Sequence, residues 1–137
     1  MQADYAYYYR GLCYISVEKY PEAAADFTVC INGELNVDES TFNRGLSLLQ
    51  SGDYEGAKSD FTASIEKEYM ADDATFYRSY AFIGTEEYDA ALADLTTCIE
   101  HEYNLADTYQ QRAALYQALG DEENYLKDLE ASLDYLE

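Results

Sequence analysis

Every arginine in this chain falls on one interval: Arg10, Arg44, Arg78 and Arg112 stand 34 residues apart. A chain with a fixed period meets the same packing problem in every unit, so the period constrains the fold more than any local propensity. A second column follows sixteen residues on, at Asp26, Asp60, Asp94 and Asp128. Beside it run two apolar columns, Phe27, Phe61, Leu95 and Leu129, then Ile31, Ile65, Ile99 and Leu133. Four such units account for nearly all of the 137 residues. The expected repeats are 4–37, 38–71, 72–105 and 106–137, together one domain over residues 4–137.

Each unit reads as two helices. In the second, Phe42, Gly45, Leu46, Leu48 and Leu49 recur with helical spacing, Ser51-Gly52-Asp53 interrupts them, and Tyr54 to Ile65 resumes it. First helices are expected near 4–17, 38–51, 72–84 and 106–119, and second helices near 20–32, 54–67, 88–101 and 122–136. Asp4, Asp38 and Asp72 are expected to cap first helices, with Asp107 one place later in the fourth unit. Glu39 and Asp73 should fall in the first turn, where the helix dipole favours negative charge. Pro21 opens a second helix, where its missing N–H costs nothing. No segment alternates as a strand would.

Composition narrows the partners. With 8 basic and 28 acidic side chains the formal charge is −20, and 48% hydrophobic content is too high for a disordered chain. A surface of that sign repels nucleic acid and anionic membranes. The longest charge-free stretches, Gly45–Gly52 and Ala113–Gly120, reach only eight residues, too short to span a bilayer. Cys13, Cys30 and Cys98 form neither a disulfide framework nor a zinc motif and read as small buried residues, although a Cys13–Cys30 bridge stays open. Met1-Gln2-Ala3-Asp4 carries no basic or apolar leader, so a cytoplasmic location is expected if the chain is complete. An extracytoplasmic location fits a segment excised from a longer protein.

The small side chains carry a resemblance. Gly11, Gly45, Ser79 and Ala113 share one place in the first helices; Tyr20, Tyr54 and Tyr88 open the second helices; Ala23, Ala57 and Ala91 follow, then Cys30, Ser64, Cys98 and Ser132. This 34-residue pattern resembles the tetratricopeptide repeat. The fourth unit departs, with Glu122 and Tyr125 at the aromatic and second small places, and Leu35, Tyr69 and Tyr103 stand where the family usually has proline. The resemblance implies an all-α, right-handed α-α superhelical solenoid of four helix-turn-helix repeats.

It also implies a site. In the family the first helices line a concave face, which here would carry Tyr8, Leu12, Phe42, Asn43, Leu46 and Leu49, continuing through Phe76, Tyr77, Tyr80 and Ile83. Phe42 and Phe76 are then expected to be exposed anchors for a peptide or protein segment, apolar with basic flanks. The lysine-rich clamp by which some family members hold acidic chaperone tails is not expected, because no lysine falls in a first helix and Asn43 alone matches.

The arginine column admits two readings. It could form a ladder that reads a carboxylate-rich partner, or it could hold the aspartates of its own repeats. The four-to-four match favours structural pairs, Arg10 with Asp26, Arg44 with Asp60, Arg78 with Asp94 and Arg112 with Asp128. No enzyme, metal or cofactor is expected: His101 stands alone between Glu100 and Glu102, and the acidic pairs lack the ligand spacing of a calcium loop. The expected function is a non-catalytic interaction scaffold. Its alternative is a structural spacer or self-assembly module of a longer, secreted or surface-anchored chain. Self-assembly follows from the expectation that no polar capping helix comes after Leu136-Glu137, because solenoid ends normally need one.

Overall fold

The computed structural model describes residues 2–136, with side chains from Tyr5 to Leu136. Eight helices follow one another, and among the described residues there is no strand. They are α1 (Gln2–Ser16), α2 (Tyr20–Asn32), α3 (Val37–Ser51), α4 (Tyr54–Glu66), α5 (Ala71–Gly84), α6 (Tyr88–Glu100), α7 (Leu105–Ala118) and α8 (Glu122–Leu133). Each packs chiefly on its sequence neighbours, so the pairs stack into a solenoid.

The repeat columns become the interior of that stack. Ala23, Ala57 and Ala91 are fully buried, as are Phe27, Phe61 and Leu95. The first helix comes close enough that a Cβ on Gly45 would stand 3.0 Å from the Phe61 ring and 3.1 Å from Asp60 Cβ. A larger side chain there would push the pair apart. Phe42, Ala57, Phe61, Ala74 and Ala81 form one buried cluster, and Phe76, Ala91, Leu95, Cys98 and Leu115 the next. The Tyr77 ring packs against both, which makes the core continuous between repeats.

Helix starts differ from the expectation. Before α3, α5 and α7 stand Asn36, Met70 and Asn104, all in the left-handed region with φ of 44°, 47° and 45° and no side-chain cap. Asp38, Asp72 and Asp107 therefore do not cap; they lie inside the first turn, where they complement the dipole. The reversal between repeats is tight, and paired left-handed residues make it: Glu34 with Asn36, Glu68 with Met70, Glu102 with Asn104. The side chain of Asp4 lies outside the described residues. Side-chain caps occur instead at two second helices, where Asp53 accepts from Gly56 N at 3.0 Å and Asp121 from Asn124 N at 3.1 Å. The last helix ends at Leu133 rather than near 136, because backbone bonds from Asp134, Tyr135 and Leu136 three residues back tighten into a turn. That turn stacks Tyr135 on Tyr109 at 5.9 Å.

Two local costs yield a prediction. Ser64 Oγ is buried without a hydrogen-bond partner among the described residues, and Met70 holds a left-handed conformation that asparagine takes in the other repeats. Ser64→Ala should raise unfolding stability by about 1 kcal/mol, the scale of an unmet buried hydroxyl. Met70→Asn should add up to about 1 kcal/mol, since asparagine tolerates the left-handed region. Urea midpoints that fall for either variant would contradict these accounts.

Candidate functional site

Each arginine reaches the aspartate of its own repeat through two parallel bonds. Arg44 Nε and Nη2 donate to Asp60 Oδ2 and Oδ1 at 2.8 Å each, and Arg10, Arg78 and Arg112 engage Asp26, Asp94 and Asp128 at 2.7–2.9 Å. The carboxylates are buried, and their hydrogen bonds raise the pKa of each guanidinium. A third donor, Nη1, crosses to the preceding repeat: Arg44 to Thr28 Oγ1 at 3.2 Å, Arg78 to Thr62 and Arg112 to Thr96 at 3.1 Å. This second column was legible at the same spacing, but a threonine in an apolar helix carries little signal of its own. With three guanidinia committed in this way and Arg10 bound to Asp26 alone, the arginine column serves the repeats rather than forming a ladder of free guanidinia.

The first-helix face is narrower than the family pattern implies. Phe42 is 5% exposed and Phe76 6%, so neither is a free anchor. The reason lies in the tyrosines that replace the usual proline. The Tyr69 ring sits 6.3 Å from Phe42, and the Tyr103 ring 5.8 Å from Phe76. Phe61 at 5.9 Å and Tyr77 at 6.4 Å close the rest of the Phe42 pocket. Phe76→Ala thus becomes a core deletion, of the roughly 3–5 kcal/mol class, rather than a harmless surface change. Tyr8 is likewise half-buried, edge-on to Phe27 at 6.0 Å, and Leu46 packs on the Phe42 cluster. Leu12 and Asn43 are half-buried and lie outside the cavity described next.

An open cavity of about 790 Å³ lies between α3, α5 and α7. Of the expected groove residues, Leu49, Phe76, Tyr77, Tyr80 and Ile83 line it. Tyr54, Asp107, Gln110 and Gln111 complete the walls. Tyr54 reaches the cavity by lying across Gly84, where a Cβ would meet its ring at 2.6 Å. Tyr80 is 37% exposed, and burial together with the Asp107 charge raises the pKa of its hydroxyl. The surface therefore offers apolar ring faces beside a carboxylate.

No group of three or more His, Cys, Asp or Glu able to hold a metal occurs among the described residues. His101 Nδ1 lies 2.7 Å from Asp72 Oδ1, and the Tyr103 hydroxyl donates to Asp73. Both tie the start of α5 to the end of α6. Lys58 is held by Glu55 at 2.6 Å and by Glu87, across to the next repeat. Cys13 is exposed, Cys30 and Cys98 are buried, and no disulfide joins them among the described residues. No described helix is long and apolar enough to cross a membrane.

A tetratricopeptide-repeat family model matches residues 42–97, the two central repeats almost in full. That match identifies tetratricopeptide repeats within residues 42–97. The solved structure of MamA 41-end from Desulfovibrio magneticus RS-1 superposes with a TM-score of 0.89 at 14% identity, covering 96% of this chain and 74% of that one. Two structures of MamA AMB-1, C2221 and P212121, give TM-scores of 0.80 and 0.78 at 14% identity. Each covers 93% of this chain, and 75% and 70% of the respective MamA chain. Identity at that level speaks to the fold. No curated protein matches the sequence.

Three outcomes follow from this geometry. In a double-mutant cycle Arg44→Ala and Asp60→Ala should couple by on the order of 1 kcal/mol or more, because either alone strands its partner. Additive effects would detach the pair from stability. Burial pushes the Cys98 thiol up to about 12, so a thiol reagent should label Cys13 in the folded protein and Cys98 only after unfolding. Burial and the bond to Asp73 raise the Tyr103 hydroxyl above its ordinary 10.0. Its contribution is complete below that unfolded-state value and is lost as pH climbs through the folded one. The melting temperature should therefore fall above about pH 10, less steeply in Tyr103→Phe.

Proposed function

We propose that this chain is a non-catalytic interaction scaffold that holds a peptide segment in the cavity between α3, α5 and α7. The observation that carries this reading is the exposed Tyr80 ring in an open cavity of about 790 Å³, beside Tyr77, Ile83 and the Asp107 carboxylate. A cleft of that size fits a few residues of an extended segment, its ring faces take an apolar side chain, and its rim takes a basic one. A formal charge of −20 speeds the approach of a basic segment and disfavours nucleic acid.

The spacer reading keeps its strength at the first two repeats. There the Phe42 ring is covered, and the first-helix face has lost the anchor that the family pattern would supply.

An array of immobilised peptides varied in apolar and basic residues tests the proposal. Wild-type protein should be retained by peptides that pair one large apolar residue with a neighbouring lysine or arginine. Tyr80→Ala should weaken retention by roughly tenfold or more, about 1.4 kcal/mol, while changing stability far less than a core deletion does. Lys67→Ala, exposed at the residue that follows α4, should leave retention unchanged. Retention of no peptide, or equal retention by Tyr80→Ala, would replace the binder with the spacer.

A further inference from the structure

The cavity between α3, α5 and α7 is lined by Tyr54, Phe76, Tyr77, Tyr80 and the Asp107 carboxylate, and by no lysine, arginine or histidine. The Tyr80 ring is held in place: Phe76 packs edge-on to it at 5.4 Å, and Tyr77 lies tilted beside it at 6.4 Å. Burial, and after it the Asp107 charge, raises the pKa of the Tyr80 hydroxyl, which sets ring and carboxylate close together. Asp107 is exposed, and among the described residues no cation pairs with it. Other repeats lack this combination. Leu12, Leu46 and Ala114 stand at the place of Tyr80, and Asp73, one repeat before Asp107, is already held by the Tyr103 hydroxyl.

The chain's own arginines show which cation a ring beside a carboxylate accepts. Arg112 binds Asp128 through two parallel bonds, and its guanidinium lies over the Tyr109 and Tyr116 rings at 5.8 Å each. Arg10 lies over Tyr7 at 5.2 Å and Tyr14 at 5.6 Å, and Arg78 over Phe82 at 5.4 Å. A guanidinium is planar and weakly hydrated, so its face stacks on a ring while its edge meets a carboxylate. An ammonium is a compact, strongly hydrated point charge and gains less from the same surface. The amide oxygens of Gln110 and Gln111, which line the cavity from the same helix as Asp107, can accept the N–H groups that the carboxylate leaves over.

We propose that the cavity takes an arginine side chain of a partner protein, its guanidinium stacked on Tyr80 and paired with Asp107. The inference rests on the reading of the cavity as a peptide site and names the residue that the peptide must carry. Leu49 of α3, Tyr54 of α4 and Ile83 in the last turn of α5 supply apolar surface for the side chain beside that arginine. The pair repeats, between two proteins, the contact that Arg112 makes within this one, with an exposed carboxylate in place of a buried one. Lysine would meet the carboxylate alone and leave the ring face unused.

Titration with sets of three short peptides, identical except for arginine, lysine or citrulline beside one leucine, tests the assignment. Citrulline keeps the shape of arginine without its charge. The arginine peptide should bind roughly tenfold or more tightly than either of the others. Asp107→Asn should weaken the arginine peptide by roughly tenfold and leave the citrulline peptide unchanged. Tyr80→Leu keeps an apolar surface without a ring, and should bring arginine and lysine peptides to nearly equal affinity. Asp89→Asn, the same change of charge at an exposed position of α6, should leave all three affinities unchanged. A lysine or citrulline peptide that binds as tightly as its arginine counterpart would overturn the arginine assignment while the peptide scaffold stands. So would an arginine preference that survives Asp107→Asn. Binding of no peptide in any set would overturn both.

Discussion

An aspartate 3–5% exposed inside a helix pair is tolerable only with a cation in contact and its oxygens hydrogen-bonded. That requirement recurs in all four second helices, and much of the arrangement follows from how it is met. The bidentate guanidinium fixes the rotation and the axial register of a first helix against its own second helix. The remaining donor, on a threonine of the repeat before, fixes the stacking of one pair on the next. In each of the last three repeats one side chain therefore positions three helices. Apolar packing of equal volume could match such a pair in stability, so its main yield here is a single register for a chain whose repeats could otherwise slide.

The period made the helices and their buried faces legible before any coordinates, because a 34-residue column averages over local noise. Gly45, Ala57 and Phe61 could be assigned to one close-packed interface for that reason, and they share it. The turns between repeats were less legible. Asp38 and Asp72 look like caps in a linear reading, but the reversal is made by left-handed backbone at Asn36 and Met70, and glutamate and methionine give no hint of such a conformation. His101 has a similar history. Its neighbours in sequence are Glu100 and Glu102, while its partner in space is Asp72, brought to it only when α5 and α6 pack.

The groove illustrates why a family pattern locates a face without deciding what that face exposes. Phe42 and Phe76 occupy the places the pattern assigns, at the edge of the first helix. Whether such a ring points into solvent depends on what fills the wedge beside it. Proline at the following loop position would leave the wedge open, whereas Tyr69 and Tyr103 close it. The Tyr103 hydroxyl is anchored to Asp73, which holds that cover in place. The departures from the pattern carried the information, and reading them required knowing where a loop side chain folds back.

The same logic explains where the surviving cavity lies. At the edge position the first three repeats carry Tyr8, Phe42 and Phe76, rings large enough to fill the wedge. The fourth carries Gln110, which is exposed and lines the cavity. A polar side chain gains nothing from an apolar wedge, so it stays in solvent and leaves the space between α5 and α7 unfilled. Tyr77 and Tyr80 then present their rings across that gap, with Asp107 one turn from Gln110 on the opposing wall. Gln110 is thus exposed on the cavity wall at the place where Phe42 and Phe76 are buried in the earlier repeats.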